Sequence, residues 1–377
     1  MTTPGRFLTS PGGLQCFVPE PLPPRLELPP KTVALIEEAT YRLGKVEMCR
    51  HLLKSPDVLT YGSIVNEAIA SSTIEGTIAS ADELLRYQVG VRQLREQVRE
   101  VANYQEALKL GVEMLKDRPI SINLIRSIHG RLLEGVRGAH TAGEFKNQQN
   151  LVGWDADKEA PIFVPPPPDR TMDLMSDLEK YINSDPAEPK LVQVALAHYQ
   201  FETIHPFADG NGRVGRLLIV LHLLQLGLLT EPLVYPSVYF ERNRDAYFNG
   251  LQSVRERGAW IEWIDYFTAG IVEQCDETLR VANLILELQD RLREQVGSVQ
   301  SHASVQRVLE AFFVTPVLGT RAVASRAGVA RNTARSALLR LREMGILDEF
   351  TGARNERIYY CKPILEILLS RTGNQPQ

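Results

Sequence analysis

The chain has few cysteines and no long apolar run, and each absence excludes a class of protein. Its 377 residues contain four cysteines. None forms a CxxC pair or lies in a histidine cluster, so neither a disulfide framework nor a zinc site is indicated. The most apolar stretch, residues 217–229, is shorter than the roughly 20 residues that span a bilayer, so we expect no membrane partner. Prolines and glycines interrupt the N-terminal segment where an export signal needs an apolar core, which favours a cytoplasmic location.

The composition is that of a folded, globular chain, and its charge is unevenly distributed. Hydrophobic residues make up 44% and charged residues 23%, which is typical of packed domains. The net charge is −4, yet residues 301–377 hold 11 Lys+Arg against 6 Asp+Glu. The length predicts two or three domains, and the charge marks the last segment as a separate one.

Apolar residues recur at spacings of three and four over most of the chain, which predicts a mainly α-helical fold. Residues 1–31 are rich in proline and favour an extended arm lying over a later domain. The predicted helices cover residues 33–53, 64–74, 82–115, 123–133, 172–182, 191–204, 212–226, 244–257 and 261–296.

Two segments depart from this helical pattern. Residues 147–164 carry two short β-prone runs around a polar turn and predict a β-hairpin flap. Near the end, helices at 305–313, 321–327 and 331–344 precede strands at 346–350 and 357–361, the order of a winged helix. We therefore expect an N-terminal arm and helical segment at 1–115, a catalytic domain at 116–297 and a winged helix-turn-helix domain at 298–377.

The stretch HPFADGNGRVGR, residues 205–216, combines groups suited to polyphosphate chemistry. Gly210 and Gly212 let the backbone turn and approach a ligand, and the following helix offers unpaired N–H donors to an anion. Arg213 and Arg216, three residues apart, can grip phosphate oxygens together. The segment predicts a phosphate-binding site.

Two further side chains in this stretch suit the chemistry of polyphosphates. The carboxylate of Asp209 is the kind of ligand that Mg²⁺ takes beside a bound polyphosphate. A neutral His205 can accept a proton from an attacking hydroxyl. We expect a polyphosphate and Mg²⁺ at this site, with His205 as the base.

The same stretch resembles the signature HxFx(D/E)GNGRxxR of Fic-domain proteins. The matching residues are His205, Phe207, Asp209, Gly210, Asn211, Gly212, Arg213 and Arg216. The resemblance implies transfer of AMP from ATP to a Ser, Thr or Tyr hydroxyl of a target protein, or of the enzyme itself. It implies that His205 is the base, Asp209 the Mg²⁺ ligand and Phe207 a core residue. The segment 210–213 would bind the α- and β-phosphates and Arg216 the γ-phosphate, while related phosphate-transferring members have lysine in place of Gly212.

The upstream segment SSTIEG, residues 71–76, ends a predicted helix. Ser71 and Glu75 share one helix face, Gly76 is the expected residue after the C-cap, and a carboxylate there opposes the helix dipole. The segment resembles the inhibitory motif (S/T)xxxE(G/N) of Fic proteins, whose glutamate pairs with the second arginine of the signature. The resemblance implies that Glu75 pairs with Arg216 and restrains the enzyme.

Two other sets of contacts follow from the resemblance. The predicted hairpin resembles the Fic flap, which aligns a target segment by adding it as a strand. Leu151, Val152 and Gly153 would lie nearest the nucleotide and the target, with a role as ordinary hairpin residues as the alternative. Tyr247 and Phe248 occupy the place where the family often has two tyrosines near the adenine, with a core role as the alternative.

The C-terminal module has a strongly basic predicted recognition helix. Residues 321–342 contain six arginines and no acidic residue. Arg331, Asn332 and Arg335 are candidate DNA contacts, with protein contact or homodimerisation as the alternative. For the whole chain, the other hypotheses are a Fic enzyme that uses a nucleotide such as UTP, one that removes AMP, and a DNA-binding regulator.

Overall fold

The computed structural model is mainly helical, as predicted, and carries two small sheets. It describes residues 3–10, 12–53, 55–90, 95–153, 159, 161–297, 302–350 and 357–370. No helix in these ranges is long and apolar enough to cross a membrane. One continuous hydrophobic core extends through all three predicted domains, so the boundaries after residues 115 and 297 stay predictions.

The proline-rich N-terminus forms a β-hairpin where only an extended arm was predicted. Strands β1 (Gly5–Thr9) and β2 (Gln15–Pro19) pair antiparallel. The arm lies over later elements, because Phe17 N–H donates to the Val164 carbonyl at 2.9 Å and Gln200 donates to the Glu20 carbonyl at 3.0 Å. Neither strand alternates apolar and polar residues, so the pattern that reveals a half-buried strand is absent from both.

The helices of the first half follow the apolar spacing, with two corrections. They are α1 (Pro30–Leu52), α2 (Asp57–Ile74), α3 (Ala81–Gln88), α4 (Glu96–Leu115) and α5 (Ile122–Leu132). The helix predicted over 64–74 begins at Asp57. The prediction of one helix over 82–115 was wrong. Gly90, at φ 76°, ends α3, because glycine adopts this left-handed conformation without a Cβ penalty.

The central helices place the signature loop between two buried helices. They are α6 (Thr171–Ile182), α7 (Lys190–Ile204), α8 (Asn211–Gln225), α9 (Ser237–Arg242), α10 (Arg244–Arg257) and α11 (Trp260–Gly297). Residues 191–204 of α7 are buried on every side, as expected for a helix at the centre of a bundle. Helix α2 packs against α8, so the predicted inhibitory segment reaches the signature.

The C-terminal segment has the predicted winged-helix order with two additions. Its elements are α12 (His302–Phe312), β3 (Val317–Gly319), α13 (Thr320–Ala327), α14 (Arg331–Glu343), β4 (Leu347–Phe350), β5 (Ile358–Cys361) and α15 (Lys362–Leu369). The antiparallel sheet has the order β3-β5-β4. Strand β3 and helix α15 were not predicted, and the predicted turn at 351–356 lies outside the described residues.

The predicted flap is represented by one ladder pair. Val152 and Phe163 exchange both backbone hydrogen bonds, at 2.9 and 3.0 Å. Residues 154–158 and 160, in the predicted turn, are outside the described ranges. The pair shows that the chain doubles back between 152 and 163, as a hairpin requires.

Candidate active site

His205 occupies an unusual backbone position at the end of α7. It is the C-cap of that helix, with φ 50° and ψ 60°, and its N–H donates to the Phe201 carbonyl at 3.0 Å. A left-handed conformation is uncommon for a residue other than glycine. It turns the chain from α7 into the loop and leaves the imidazole partly exposed at the start of the signature.

The imidazole of His205 is held as a neutral base. Its Nδ1 lies 3.3 Å from the Glu202 carbonyl oxygen, which can only accept a hydrogen bond, so Nδ1 carries the proton and Nε2 keeps its lone pair. Burial, and next the charge of Lys146, lower the pKa of His205 to about 4. The group is therefore unprotonated at neutral pH and able to accept a proton.

The loop after His205 is closed by two hydrogen bonds between a side chain and the backbone. Asn211 accepts from Phe207 N–H and donates to the Phe207 carbonyl, both at 2.8 Å. Phe207 is fully buried, as the resemblance implied, and its ring stacks on His129 with centroids 3.7 Å apart. Gly210, at φ 78°, then caps α8, so the N-terminus of α8 and His205 border the same space.

The two signature arginines are buried at the start of α8 and are held by different carboxylates. Arg213 donates to Glu100 Oε2 at 3.2 Å and lies 3.7 Å from Asp209 Oδ1. Arg216 is 1% exposed, and one of its nitrogens donates to Glu75 Oε1 at 2.7 Å. Buried guanidinium groups need such anionic partners.

The predicted partner of Arg216 is in contact with it. Ser71 receives two hydrogen bonds from Arg216, to Oγ and to the carbonyl oxygen, both at 2.8 Å. Burial alone would raise the pKa of Glu75, but Arg216 outweighs it and the pKa lies below its usual value. Gly76 follows at φ 85° and lets the chain leave α2. Glu75 is therefore charged and forms an ion pair with Arg216.

The carboxylate of Glu75 also covers the backbone of Gly212. A Cβ at this position would overlap Glu75 Oε1 and would lie 2.9 Å from an Arg216 nitrogen. Glycine therefore allows an oxyanion to approach the first turn of α8, where backbone N–H groups are unpaired. In this structure that oxyanion is the protein's own side chain.

Asp209 is the available carboxylate for a divalent ion. Oδ1 accepts from Gly210 N–H at 2.6 Å, and Oδ2 lies 3.5 Å from an Arg137 nitrogen. Among the described residues no three His, Cys, Asp or Glu side chains form a metal cluster. A single carboxylate beside a phosphate site nevertheless fits Mg²⁺, which takes its other ligands from phosphate and water.

The predicted adenine contacts separate into one buried and one partly exposed ring. The nucleotide contact predicted for Tyr247 does not fit, because the side chain is 1% exposed and its hydroxyl lies 2.9 Å from His198 Nε2. It belongs to the packing beneath Arg216. Phe248 is 36% exposed, with Arg244 over its ring at 4.8 Å, so its nucleotide contact stays a prediction.

The flap residues lie before the chain reverses. Leu151 is 47% exposed, Val152 is in the ladder pair, and Gly153 has φ 65°. A Cβ on Gly153 would clash with Ile162, 2.7 Å away. Their contact with a target stays a prediction.

Three site residues were missed from the sequence. Glu100 binds Arg213 from a distance of 113 residues along the chain. Burial raises the pKa of Glu202 to about 7, and a Cβ on Gly215 would collide with its carboxylate. Lys146 lies behind His205. The sequence shows that Glu202 lies three residues before His205. Nothing in its neighbours indicated that its carboxyl group is buried.

Comparison with known proteins identifies the family. Residues 119–223 match the Fic/DOC family model and residues 33–113 match the Fic/DOC family N-terminal model. A protein adenylyltransferase Fic of Drosophila ananassae is 31% identical over 160 residues, covering 42% of this chain and 29% of that protein. One from Aedes aegypti is 36% identical over 141 residues, covering 36% and 25%. The chain thus spans under a third of these curated relatives.

Solved structures share the fold. A Fic family protein from Desulfovibrio desulfuricans aligns with a TM-score of 0.60 at 20% identity, over 94% of this chain and all of that chain. A Fic domain-containing signaling protein from Bacteroides thetaiotaomicron has a TM-score of 0.52 at 19% identity, over 66% and 97%. These structures show the shared fold, and the two family models identify the chain as a Fic/DOC family protein with a Fic N-terminal region, over residues 119–223 and 33–113.

Proposed function

We propose that this protein transfers AMP from ATP to Ser, Thr or Tyr hydroxyls of target proteins and of itself. The observation that carries the proposal is an oxyanion, the Glu75 carboxylate, bound by Arg216 over Gly212 at the start of α8. The neutral His205 borders the same space. An anion-binding helix start beside a base is what nucleotidyl transfer requires. The curated relatives named as adenylyltransferases support this choice of reaction.

The chemical step is an in-line displacement. The hydroxyl oxygen of the target forms a bond to the α-phosphorus, and the bond from that phosphorus to the pyrophosphate oxygen breaks. The hydroxyl proton passes to Nε2 of His205, and pyrophosphate leaves. Arg213, the N–H groups of residues 210–212 and Arg216 would bind the phosphates and stabilise their charge. Asp209 would hold Mg²⁺, which would neutralise part of that charge when bound.

The contact between Glu75 and Arg216 makes the protein self-restrained in this proposal. Arg216 has one guanidinium group, and the γ-phosphate competes with the Glu75 carboxylate for it. Two negative groups at one helix start repel each other, so ATP binds weakly or with its α-phosphate misplaced. Displacement of Glu75 then permits productive binding.

Labelled ATP, UTP and GTP, each mixed with Mg²⁺ and the Glu75→Gly protein, test the donor. We expect label on protein from [α-³²P]ATP, and none from [γ-³²P]ATP, because the γ-phosphate departs with pyrophosphate. Stronger labelling from UTP than from ATP would indicate that the protein transfers UMP instead of AMP. Loss of label from modified protein after addition of the Glu75-bearing protein with Mg²⁺ or Mn²⁺ would favour AMP removal. No labelling from any nucleotide would contradict the proposed activity.

A second candidate function, duplex DNA binding by the C-terminal module, is favoured by the surface of α14. Arg331, Asn332, Arg335 and Arg340 are exposed. Within the described part of the module, the three arginines form no ion pairs. Unpaired guanidinium groups on a recognition helix suit phosphates and base edges.

Fluorescence anisotropy of a labelled duplex tests this candidate function. We expect binding that weakens steeply with salt, and an Arg331→Ala/Arg335→Ala protein with a smaller salt dependence. Arg118→Ala, an exposed arginine far along the chain, is the control. Equal binding by both variants would contradict a DNA interface on α14 and favour protein contact or homodimerisation.

A further inference from the structure

The backbone around His205 is held by a short segment that precedes the flap. Four consecutive carbonyls, from Ile204 to Phe207, all accept hydrogen bonds. Lys146 Nζ binds the Ile204 carbonyl at 3.2 Å, and the Lys146 N–H binds the Pro206 carbonyl at 2.8 Å. Asn150 Nδ2 binds the carbonyls of His205 and Phe207 at 3.1 and 2.9 Å. Lys146 and Asn150 therefore donate hydrogen bonds to all four of these carbonyls, on both sides of His205.

These contacts bear on a strained position. His205 has φ 50° without being glycine, and such a conformation persists only where its surroundings enforce it. Lys146 and Asn150 are also hydrogen-bonded to each other, since Lys146 Nζ donates to Asn150 Oδ1 at 2.9 Å. The two hydrogen bonds between the Asn211 side chain and the Phe207 backbone support the far end of the loop, but they do not reach the carbonyls of His205 or Pro206.

Lys146 is unusual as a structural residue. It is 6% exposed, and among the described residues it forms no ion pair with a carboxylate. Burial lowers its pKa to about 7. A hydrophobic side chain would pack there at lower cost if packing were the only requirement. The buried amine therefore indicates a local role, and one of its hydrogen bonds is to the carbonyl of Ile204, directly before His205.

We propose that Lys146 and Asn150 are positioning residues for His205, which hold its backbone and aim Nε2 at the attacking hydroxyl. This inference rests on the proposed transfer reaction. Asn150 directly precedes Leu151–Gly153, so the segment that would bind a target is joined to the segment that orients the base. Lys146 has a second effect through its charge, because a nearby cation disfavours the imidazolium form.

The charge effect has a defined sign. The charged groups acting on His205 are Lys146, Glu75 and Arg255. Lys146 and Arg255 lower the pKa of His205, and Glu75 raises it. Removal of the Lys146 charge is therefore expected to raise the pKa of His205 and to move the acid limb of the rate profile to higher pH.

The test compares Lys146→Met, Lys146→Arg and Asn150→Ala in the Glu75→Gly protein. We expect Lys146→Met and Asn150→Ala to lower kcat at least about tenfold, since misplacing a catalytic group is costly, with KM for ATP within about twofold. Lys146→Arg, which keeps charge and donors, should lose less. Lys180→Met, at an exposed site on α6, is the control. An unchanged kcat for Lys146→Met and Asn150→Ala would overturn the proposal.

A second readout does not depend on turnover. The pKa of His205 is measured by NMR titration of the ring, in the otherwise unmodified protein and in Lys146→Met. An upward shift in the variant supports the proposal, and an unchanged pKa contradicts the charge effect even if the variant is too unstable for kinetics. If the Glu75→Gly protein transfers no nucleotide, the proposed function fails, while this titration still tests the link between Lys146 and His205.

Discussion

Glu75 is placed where its own helix disfavours it. It is the C-cap of α2, at the negative end of the helix dipole. Arg216 overcomes this effect and keeps the pKa of the carboxyl below its usual value. The ion pair therefore contributes stability that is complete above about pH 4.5, the usual value, and is lost only as pH falls through the lowered pKa. At neutral pH the ion pair is fully in place.

Gly212→Ala is expected to destabilise the protein by about 1–3 kcal/mol, because the new methyl group would overlap Glu75 Oε1. The cost should fall in the Glu75→Gly background, where that oxygen is gone. A double-mutant cycle of urea unfolding free energies measures this coupling. Equal costs in both backgrounds would mean that Glu75 does not occupy the space over Gly212.

Ser71→Ala removes one of the two contacts that Ser71 makes with Arg216. The remaining carbonyl contact and Glu75 still hold the guanidinium group. We expect AMP transfer above that of the unmodified protein but below that of Glu75→Gly, and a loss of about 1 kcal/mol in unfolding free energy. Transfer rates of the three proteins, measured at one ATP concentration, give the order. A Ser71→Ala rate equal to the Glu75→Gly rate would contradict a graded restraint.

The residues of the signature and of the inhibitory segment could be placed from the sequence because each lies in a short, local pattern. The Arg216–Glu75 contact was implied by the resemblance of these two patterns to motifs of the Fic family. Glu100 could not be placed, since no local pattern connects it with Arg213 across the fold. Tyr247 was misassigned because burial depends on the helices packed around it, and the sequence does not show those.

At the scale of elements, the apolar spacing and the flanking turn residues decide what the sequence reveals. The longest helix, α11, was predicted to within one residue at either end, whereas α2 begins seven residues before its predicted start. The short elements α9, β3 and α15 were missed, while the equally short α13, β4 and β5 were predicted because turn residues and the winged-helix order frame them. The division between α3 and α4 depended on the left-handed Gly90 rather than on hydrophobicity.

Helix α15 links the C-terminal module to α2, the helix whose C-cap is Glu75. Leu368 packs against Gly62 of α2, and its carbonyl accepts from Asn66 at 2.8 Å. Leu368→Ala is expected to lower the unfolding free energy by about 2–4 kcal/mol and to raise basal AMP transfer by loosening α2. Leu369→Ala, a less buried neighbour, is the control. Destabilisation without any rise in AMP transfer would contradict a role for α15 in the proposed restraint.

At the scale of the whole molecule, buried histidines dominate the response to acid. Burial lowers the pKa of His129, His205 and His222 to about 4 and that of His198 to about 3. The unfolded chain, with histidine pKa near 6.5, binds more protons between these values. Stability therefore falls as pH drops from about 6.5 towards 4.

Two acids oppose this trend. Burial raises the pKa of Glu202 to about 7, so the folded state binds one more proton there between about 4.5 and 7, and burial also raises the pKa of Glu67 above its usual value. Four histidines less these two acids predict a net uptake of about two to three protons on unfolding near pH 5. Urea unfolding free energies measured from pH 7 to pH 4.5 give this slope. A flat profile would contradict the buried, neutral histidines.

The most direct test of the account is the intact mass of the protein after incubation with ATP and Mg²⁺. We predict an AMP adduct on Glu75→Gly, little or none on the unmodified protein, and none on Glu75→Gly/His205→Ala. Glu113→Gly, an exposed glutamate in the last turn of α4, should behave like the unmodified protein. Equal adducts on the unmodified and Glu75→Gly proteins, or no adduct on Glu75→Gly, would contradict the claim that Glu75 restrains AMP transfer by occupying Arg216.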